Sequence, residues 1–223
     1  NMKDLIIWQT YHDDVQVAQY HLHETDTIRL FKGNDLSVEG ENINHLNKFY
    51  SELVTLYWVW KNNVRSKMVG FCHYRRIFGR TIDLEDKSCQ VLAVSHLNVM
   101  QHYKSAHNYQ DFYDAVDILN GRYGLNNKYS QYMLRSNIFI PFCCFIVHWE
   151  DFMRLCNFVF SVLFAFDDFH HLDMCPQNYM EKAHKDFRYD NVDYQCRAMS
   201  FLGERLISCW LFCEMKVYCV HTV

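Results

Sequence analysis

Val69-Gly70-Phe71-Cys72-His73-Tyr74-Arg75-Arg76 runs from apolar and small residues straight into an imidazole, a phenol and two guanidinium groups. A short apolar run that ends on polar residues reads as a buried strand. If the extended form persists to Arg76, alternation puts His73 and Arg75 on one face and Tyr74 and Arg76 on the other. One arginine of the pair then points straight into a site. Guanidinium suits a diphosphate, because its planar fork donates two parallel charge-assisted hydrogen bonds. The plain alternative is a pair of surface arginines matched to surface acids. Cys72 and His73 face opposite ways on a strand and cannot share a proton, which excludes a thiol–imidazole nucleophile there.

Outward from this stretch, apolar runs recur at residues 5–8, 68–72, 91–94, 138–140, 143–147 and 217–220. Helical spacing lies between them: Leu53, Leu56, Tyr57 and Trp60 recur at i, i+3, i+4 and i+7, and so do Phe152, Leu155, Cys156 and Val159. One helix is expected to start near Asn47, with Glu52 early in it as a capping acid, and to end at 61–63. Another is expected over 200–212. Strand and helix alternate, so the expectation is a single α/β domain over 1–223, a mostly parallel sheet flanked by helices, with its site at the carboxyl ends of strands. Residues 167–193 are polar, aromatic and irregular, and read as a loop or small subdomain over the acceptor side.

The composition excludes several classes. Of 223 residues, 50% are hydrophobic and 17% aromatic, with 7 Gly and 2 Pro, which leaves no room for low-complexity disorder. A net charge of -4 gives no basic face for nucleic acid, so no nucleic-acid partner is expected. The ten cysteines include an adjacent pair and no Cys-x-x-Cys, which fits a reducing cytoplasm better than a disulfide framework. The apolar runs at 5–8 and 158–166 are too short for an export signal or a span, so any membrane contact is expected to be peripheral.

For metal chemistry, no Asp-x-Asp stands at a strand end. Asp83-Leu84-Glu85-Asp86 reads as a solvated loop, Asp167-Asp168 and Asp190 with Asp193 as surface acids, and His170-His171 near Asp173 and Cys175 lacks zinc spacing. No metal or cofactor is committed, with Mg or Mn as the ions such a site would use. Glu204-Arg205 interrupts an apolar helix; the carboxylate is either a general base for an acceptor hydroxyl or part of an ion pair holding helix to sheet. Tyr103 and His107 are one helical turn apart and can look into one cleft.

Residues 40–43 leading into 49–62, then Gly70-Phe71-Cys72-His73-Tyr74-Arg75-Arg76-Ile77-Phe78, resemble the core signature of the glycosyltransferases first catalogued as domain of unknown function four-four-two-two. Thr10-Tyr11-His12, residues 103–107, Asn137-Ile138-Phe139-Ile140, and Phe201 to Leu206 followed by Trp210 are similar to further segments of that family, in the same order. The resemblance implies a GT-A-like bacterial transferase of capsule, exopolysaccharide or lipopolysaccharide synthesis. It would move a hexose from a nucleotide sugar, a UDP-sugar foremost, to a lipid-linked or glycan acceptor at the cytoplasmic face of the plasma membrane. Carried onto this sequence, it implies a donor diphosphate at His73, Tyr74, Arg75 and Arg76, and nucleotide near Thr10, Tyr11 and His12. Glu204 becomes the catalytic residue, with Glu52, Tyr103, His107, Asn137 and Arg205 in support. Fixed positive charge would then replace the acidic metal motif. Two departures stand out: Lys48 where many relatives have Pro, and Phe142-Cys143-Cys144 in place of a more polar segment. A non-catalytic carbohydrate- or nucleotide-binding module, or a transferase of phosphorylated groups, are the competing readings.

Overall fold

The computed structural model describes residues 1–188 and 191–220. Asp190, raised above as an acidic neighbour of Asp193, lies outside the described residues. The chain runs β1 (Leu5–Tyr11), α1 (Asp14–Gln19), β2 (Ile28–Lys32), a 3-10 turn (Asn44–Leu46), α2 (Asn47–Tyr50), α3 (Leu53–Lys61), β3 (Met68–His73), β4 (Ser88–Val91), α4 (Val99–Ala106), α5 (Tyr109–Tyr123) and α6 (Lys128–Arg135). It continues with β5 (Phe145–His148), α7 (Trp149–Phe169), α8 (Pro176–Asp186), α9 (Val192–Gln195), α10 (Ala198–Glu214) and β6 (Lys216–Cys219).

The strands form one six-stranded sheet in the order β2-β1-β3-β5-β4-β6. β1 runs parallel to β2 and β3, and β4 to β6, while β5 is antiparallel to both of its neighbours. This is the expected mostly parallel α/β sheet with helices against it, with one strand reversed. The reversal matters for the site. Phe71 of β3 pairs with Phe145 of β5, so the chain enters β5 at the edge where β1 and β3 end, and brings 142–144 beside 73–76.

Alternation sorts the strand side chains. Ile6, Trp8, Val69, Phe71, Phe145 and Val147 join the large core, which α3, α7 and α10 complete, whereas Ile7, Cys72, Cys144 and Ile146 form a smaller core on the other face with Leu84 and Leu92. Gly70 allows that second layer to close: a Cβ there would come 2.9 Å from Ile146 Cγ1 and 3.0 Å from Ile7 Cγ1.

Several expectations are corrected. The helix read from Asn47 onward is broken, since α2 stops at Tyr50 and Ser51 takes φ 51 and ψ -131 before α3 begins. Periodicity does not register a one-residue break. The run 138–140 gives a single bridge, Phe139 to Ser95, because the Ile140 amide donates instead to Ser208 Oγ of α10 at 2.9 Å. The strand expected at 91–94 is Ser88–Val91, and β2 was hidden by the charges of Arg29 and Lys32. Within 167–193 the described residues include two helices, α8 and α9, in place of a continuous loop: Pro176 opens α8 at its first position, and Tyr179 and Ala183 bury one of its faces. All ten cysteines are free thiols. No helix among the described residues is long and apolar enough to cross a membrane.

Candidate functional site

β1 leads to a neighbour on one side and β3 toward strands on the other, so their carboxyl ends form the kind of crevice where open α/β sheets hold ligands. A cavity of about 640 Å³ opens at that edge. His12 reaches it after β1, and His73, Tyr74 and Arg75 after β3. Asn47, Lys48, Ser51 and Glu52 come from the α2–α3 junction, Phe142 and Cys143 from the entry to β5, His102 and His107 from α4 and its end, and Tyr194, Arg197, Ser200, Phe201, Glu204 and Arg205 from α9 and α10.

β3 ends at His73, where the Arg76 amide donates to the His73 carbonyl at 3.0 Å and closes a tight turn. Strand alternation therefore does not extend to Arg76. His73, Tyr74 and Arg75 all line the cavity, while Arg76 lies outside it, its guanidinium 3.5 Å from the centre of the Phe142 ring. The Arg75 amide donates to His73 Nδ1 at 3.3 Å, so the neutral ring carries its hydrogen on Nε2. Burial, with Arg76, Arg75 and His12 nearby, pushes His73 down to about 4.

At the α2–α3 junction, Ser51 holds a left-handed backbone that a serine adopts only at some cost. Its Oγ accepts from Arg197 Nε at 3.2 Å and Nη2 at 3.0 Å, which fixes Arg197 at the head of α10. Asn47 turns its amide toward His12, with Nδ2 3.4 Å from the Nδ1 of that ring, rather than capping a helix, and its Oδ1 is buried without a partner. Glu52 lines the cavity but makes no capping bond to α3. Burial raises its pKa, opposed by its own backbone amide, Arg197 and Arg75.

Glu204 does not present a free carboxylate. Its Oε2 accepts from the Phe142 amide at 2.9 Å and its Oε1 from Arg205 Nη1 at 3.1 Å. Phe142 and Cys143 have φ of 73 and 52, so this carboxylate holds a strained turn in place. Arg205 is 2% exposed, lies 5.1 Å from the Tyr103 and Phe139 ring centres, and donates to His102 Nδ1 at 2.9 Å, while its Nε has no partner.

The other expected site residues separate. His107 lines the cavity, its ring 3.6 Å from Phe201 and its Nδ1 bonded to Gln195 Oε1 at 3.1 Å. Thr10 is buried against Thr55, with 2.6 Å between hydroxyls, and Tyr11 does not line the cavity. Tyr103 sits behind Arg205 in the core, while α4 ends at Ala106 and His107, unlike Tyr103, reaches the opening. Asn137 is exposed and accepts from Asn98 Nδ2 at 3.1 Å, away from the cavity. Sequence reasoning missed Arg197, Ser200 and His102. A signal for the first two existed: Arg197, Ser200, Phe201 and Glu204 stand at i, i+3, i+4 and i+7, one helical turn upstream of the expected helix start.

Lys48, Arg75, Arg197 and Arg205 line the cavity with Glu52 and Glu204, and although Lys48 Nζ also meets Asp193 Oδ1 at 3.2 Å, the cations still outnumber the carboxylates, so the cavity favours an anion. Among the described residues, one metal-ligand-type cluster occurs, Asp111, Asp114 and His170, and it lies outside this cavity. Lys182 already sits 2.8 Å from Asp111, and His170 Nε2 2.8 Å from Asp114.

His73 and His107 both titrate at about 4 in the fold against an ordinary 6.5. The unfolded chain therefore binds more protons below that value, and stability is lost as pH falls from 6.5 towards 4. Urea midpoints measured across this window should drop for the native protein and drop less steeply for His107→Asn; equal slopes would disprove the assignment.

A family model described as "Domain of unknown function (DUF4422)" matches residues 9–98 and 90–215. No curated protein matches the chain. Among solved structures, the apo form of WbbM, titled a bifunctional glycosyltransferase, is similar with a TM-score of 0.68 at 18% identity, over 97% of this chain and 44% of that one. The likeness is one of fold, and the chain spans less than half the length of that protein.

Proposed function

The chain belongs to the DUF4422 family, and from that premise we propose that it is a glycosyltransferase that moves a sugar from a nucleotide-sugar donor to a glycan or lipid-linked acceptor. The observation that carries this reading is the cationic cavity at the carboxyl ends of β1 and β3, with Arg75 and Arg197 converging from β3 and α10. The donor diphosphate lies between these two guanidinium groups, with Lys48 nearby and the uncapped first turn of α10 adding the positive end of a 17-residue helix. Neutral His73 offers a further donor through Nε2. Charge that builds on the departing diphosphate is met by cations already in place, which is the main catalytic term. His12, Tyr74 and Phe142 supply ring faces for the base and sugar. The finer reading follows the family resemblance: a UDP-hexose donor and a surface-polysaccharide acceptor at the inner face of a bacterial membrane.

Thermal-shift and product measurements test this. UDP-sugars are expected to raise the melting temperature equally with Mn and with chelator, and acceptor to release a nucleoside diphosphate. Glycan binding without turnover would mean a binding module. A nucleoside monophosphate or phosphorylated acceptor as product would mean transfer of a phosphorylated group.

A further inference from the structure

We infer that Glu52, and not Glu204, is the catalytic base of this cavity, taking the proton of the acceptor hydroxyl as its oxygen attacks the sugar carbon. The inference rests on the glycosyl-transfer reading above. Glu52 and Glu204 are the carboxylates that line the cavity among the described residues. Glu204 is spent on the fold, one oxygen on the Phe142 amide and the other on Arg205.

Glu52 stands at the N-cap of α3, where an acid would ordinarily accept from the free amides of the first turn. It does not. The Val54 and Thr55 amides donate to the Ser51 and Glu52 carbonyls at 3.2 and 3.1 Å, and the Glu52 carboxylate meets no hydrogen bond from another described residue. The strained Ser51 backbone, anchored by Arg197, sets this carboxylate beside the two arginines assigned to the diphosphate. A half-buried carboxylate lining the cavity with cations, and bonded to nothing but its own backbone amide among the described residues, ties no other element into the fold.

In the step, the acceptor O–H bond breaks and its proton passes to the Glu52 carboxylate. The acceptor oxygen bonds to the anomeric carbon, and the bond from that carbon to the diphosphate oxygen breaks. The electron pair leaves with the nucleoside diphosphate, whose charge Arg75 and Arg197 face. Glu52 returns the proton to water.

The groups facing Glu52 come from three elements: Arg197 and Glu204 on α10, Arg75 after β3, and the Cys143 and Cys144 thiols before β5. Burial outweighs the arginines and leaves the carboxyl above its ordinary range. The base acts only when ionised, so turnover falls as pH drops through that raised value.

The experiment measures UDP release from a UDP-hexose with acceptor, and UDP binding by calorimetry, for native protein, Glu52→Gln, Glu52→Asp and Glu204→Gln. Glu52→Gln is expected to lose about 10²- to 10⁴-fold in kcat while holding UDP affinity within about threefold, and to lose the acid limb of the pH–rate profile. Glu52→Asp should restore part of the rate with that limb, and Glu204→Gln should keep the limb but melt at a lower temperature. Normal UDP binding with undiminished turnover in Glu52→Gln, or an acid limb that moves with Glu204→Gln, overturns this inference alone. A native protein that neither binds UDP nor releases it overturns the glycosyl-transfer reading and this inference with it.

Discussion

Replacing Arg197 by alanine is expected to weaken nucleotide-sugar binding about 100-fold, and replacing Arg75 about 10-fold, since charge-assisted hydrogen bonds contribute about 1.5–3 kcal/mol each. The ranking follows from how each guanidinium is held. Arg197 is fixed before any ligand arrives, by two bonds to Ser51 Oγ and by the Tyr194 and Phe201 rings 5.6 and 5.9 Å away. Its ordering cost is met by the fold. Arg75 is exposed, with the Tyr74 ring 5.2 Å from its guanidinium, and must give up freedom to bind. Arg197→Lys should recover little, because a point charge cannot serve both Ser51 and a phosphate fork. Calorimetric titration with UDP reads all three variants, and unchanged affinity in both alanine variants would refute the donor-site assignment. Arg76→Ala serves as the control that leaves affinity unchanged, since Arg76 lies over Phe142 outside the cavity.

Arg205→Leu is expected to destabilise the protein by about 3 kcal/mol, the lower end of what breaking a buried ion pair costs. The guanidinium has Phe201 carbonyl, Glu204 and His102 as partners and 2% exposure. Leucine keeps the apolar packing against Tyr103 and Phe139 but strands the acceptors around it. Glu204 keeps its Phe142 bond and a quarter of its side-chain surface in water, which places the cost at the low end. Urea unfolding measures it. A loss below about 1 kcal/mol, the worth of an ordinary hydrogen bond, would mean that the network contributes nothing special to the fold.

Much of the architecture was legible because burial imposes periodicity. The runs at 5–8 and 68–72 became β1 and β3, and the stripes through Leu53 and Phe152 became α3 and α7. These signals are local: a strand or helix in a core must repeat its apolar residues at its own period. Where a partner outside the segment decides, the pattern misled. Residues 138–140 are apolar enough for a strand, but their amide goes to Ser208. Asn47 resembles a cap, but its amide turns toward His12.

The sequence by itself determined that an apolar strand ends in His73-Tyr74-Arg75-Arg76 and that Glu204 and Arg205 sit in an apolar helix. Its hydrophobic pattern determined the α/β class. Tertiary structure decided which charges meet. A hydrogen bond between Arg76 and His73 turned the chain and sent one arginine out of the cavity. The reversed β5 brought Phe142 to Glu204 and so spent that carboxylate. Arg197 came across 146 residues to Ser51 and left the neighbouring Glu52 carboxylate with its own backbone amide alone. Periodicity records which face of an element is buried. It carries no record of the partner across the cavity, because that depends on how elements distant in sequence pack, and the polar partners in such a cavity obey no repeat.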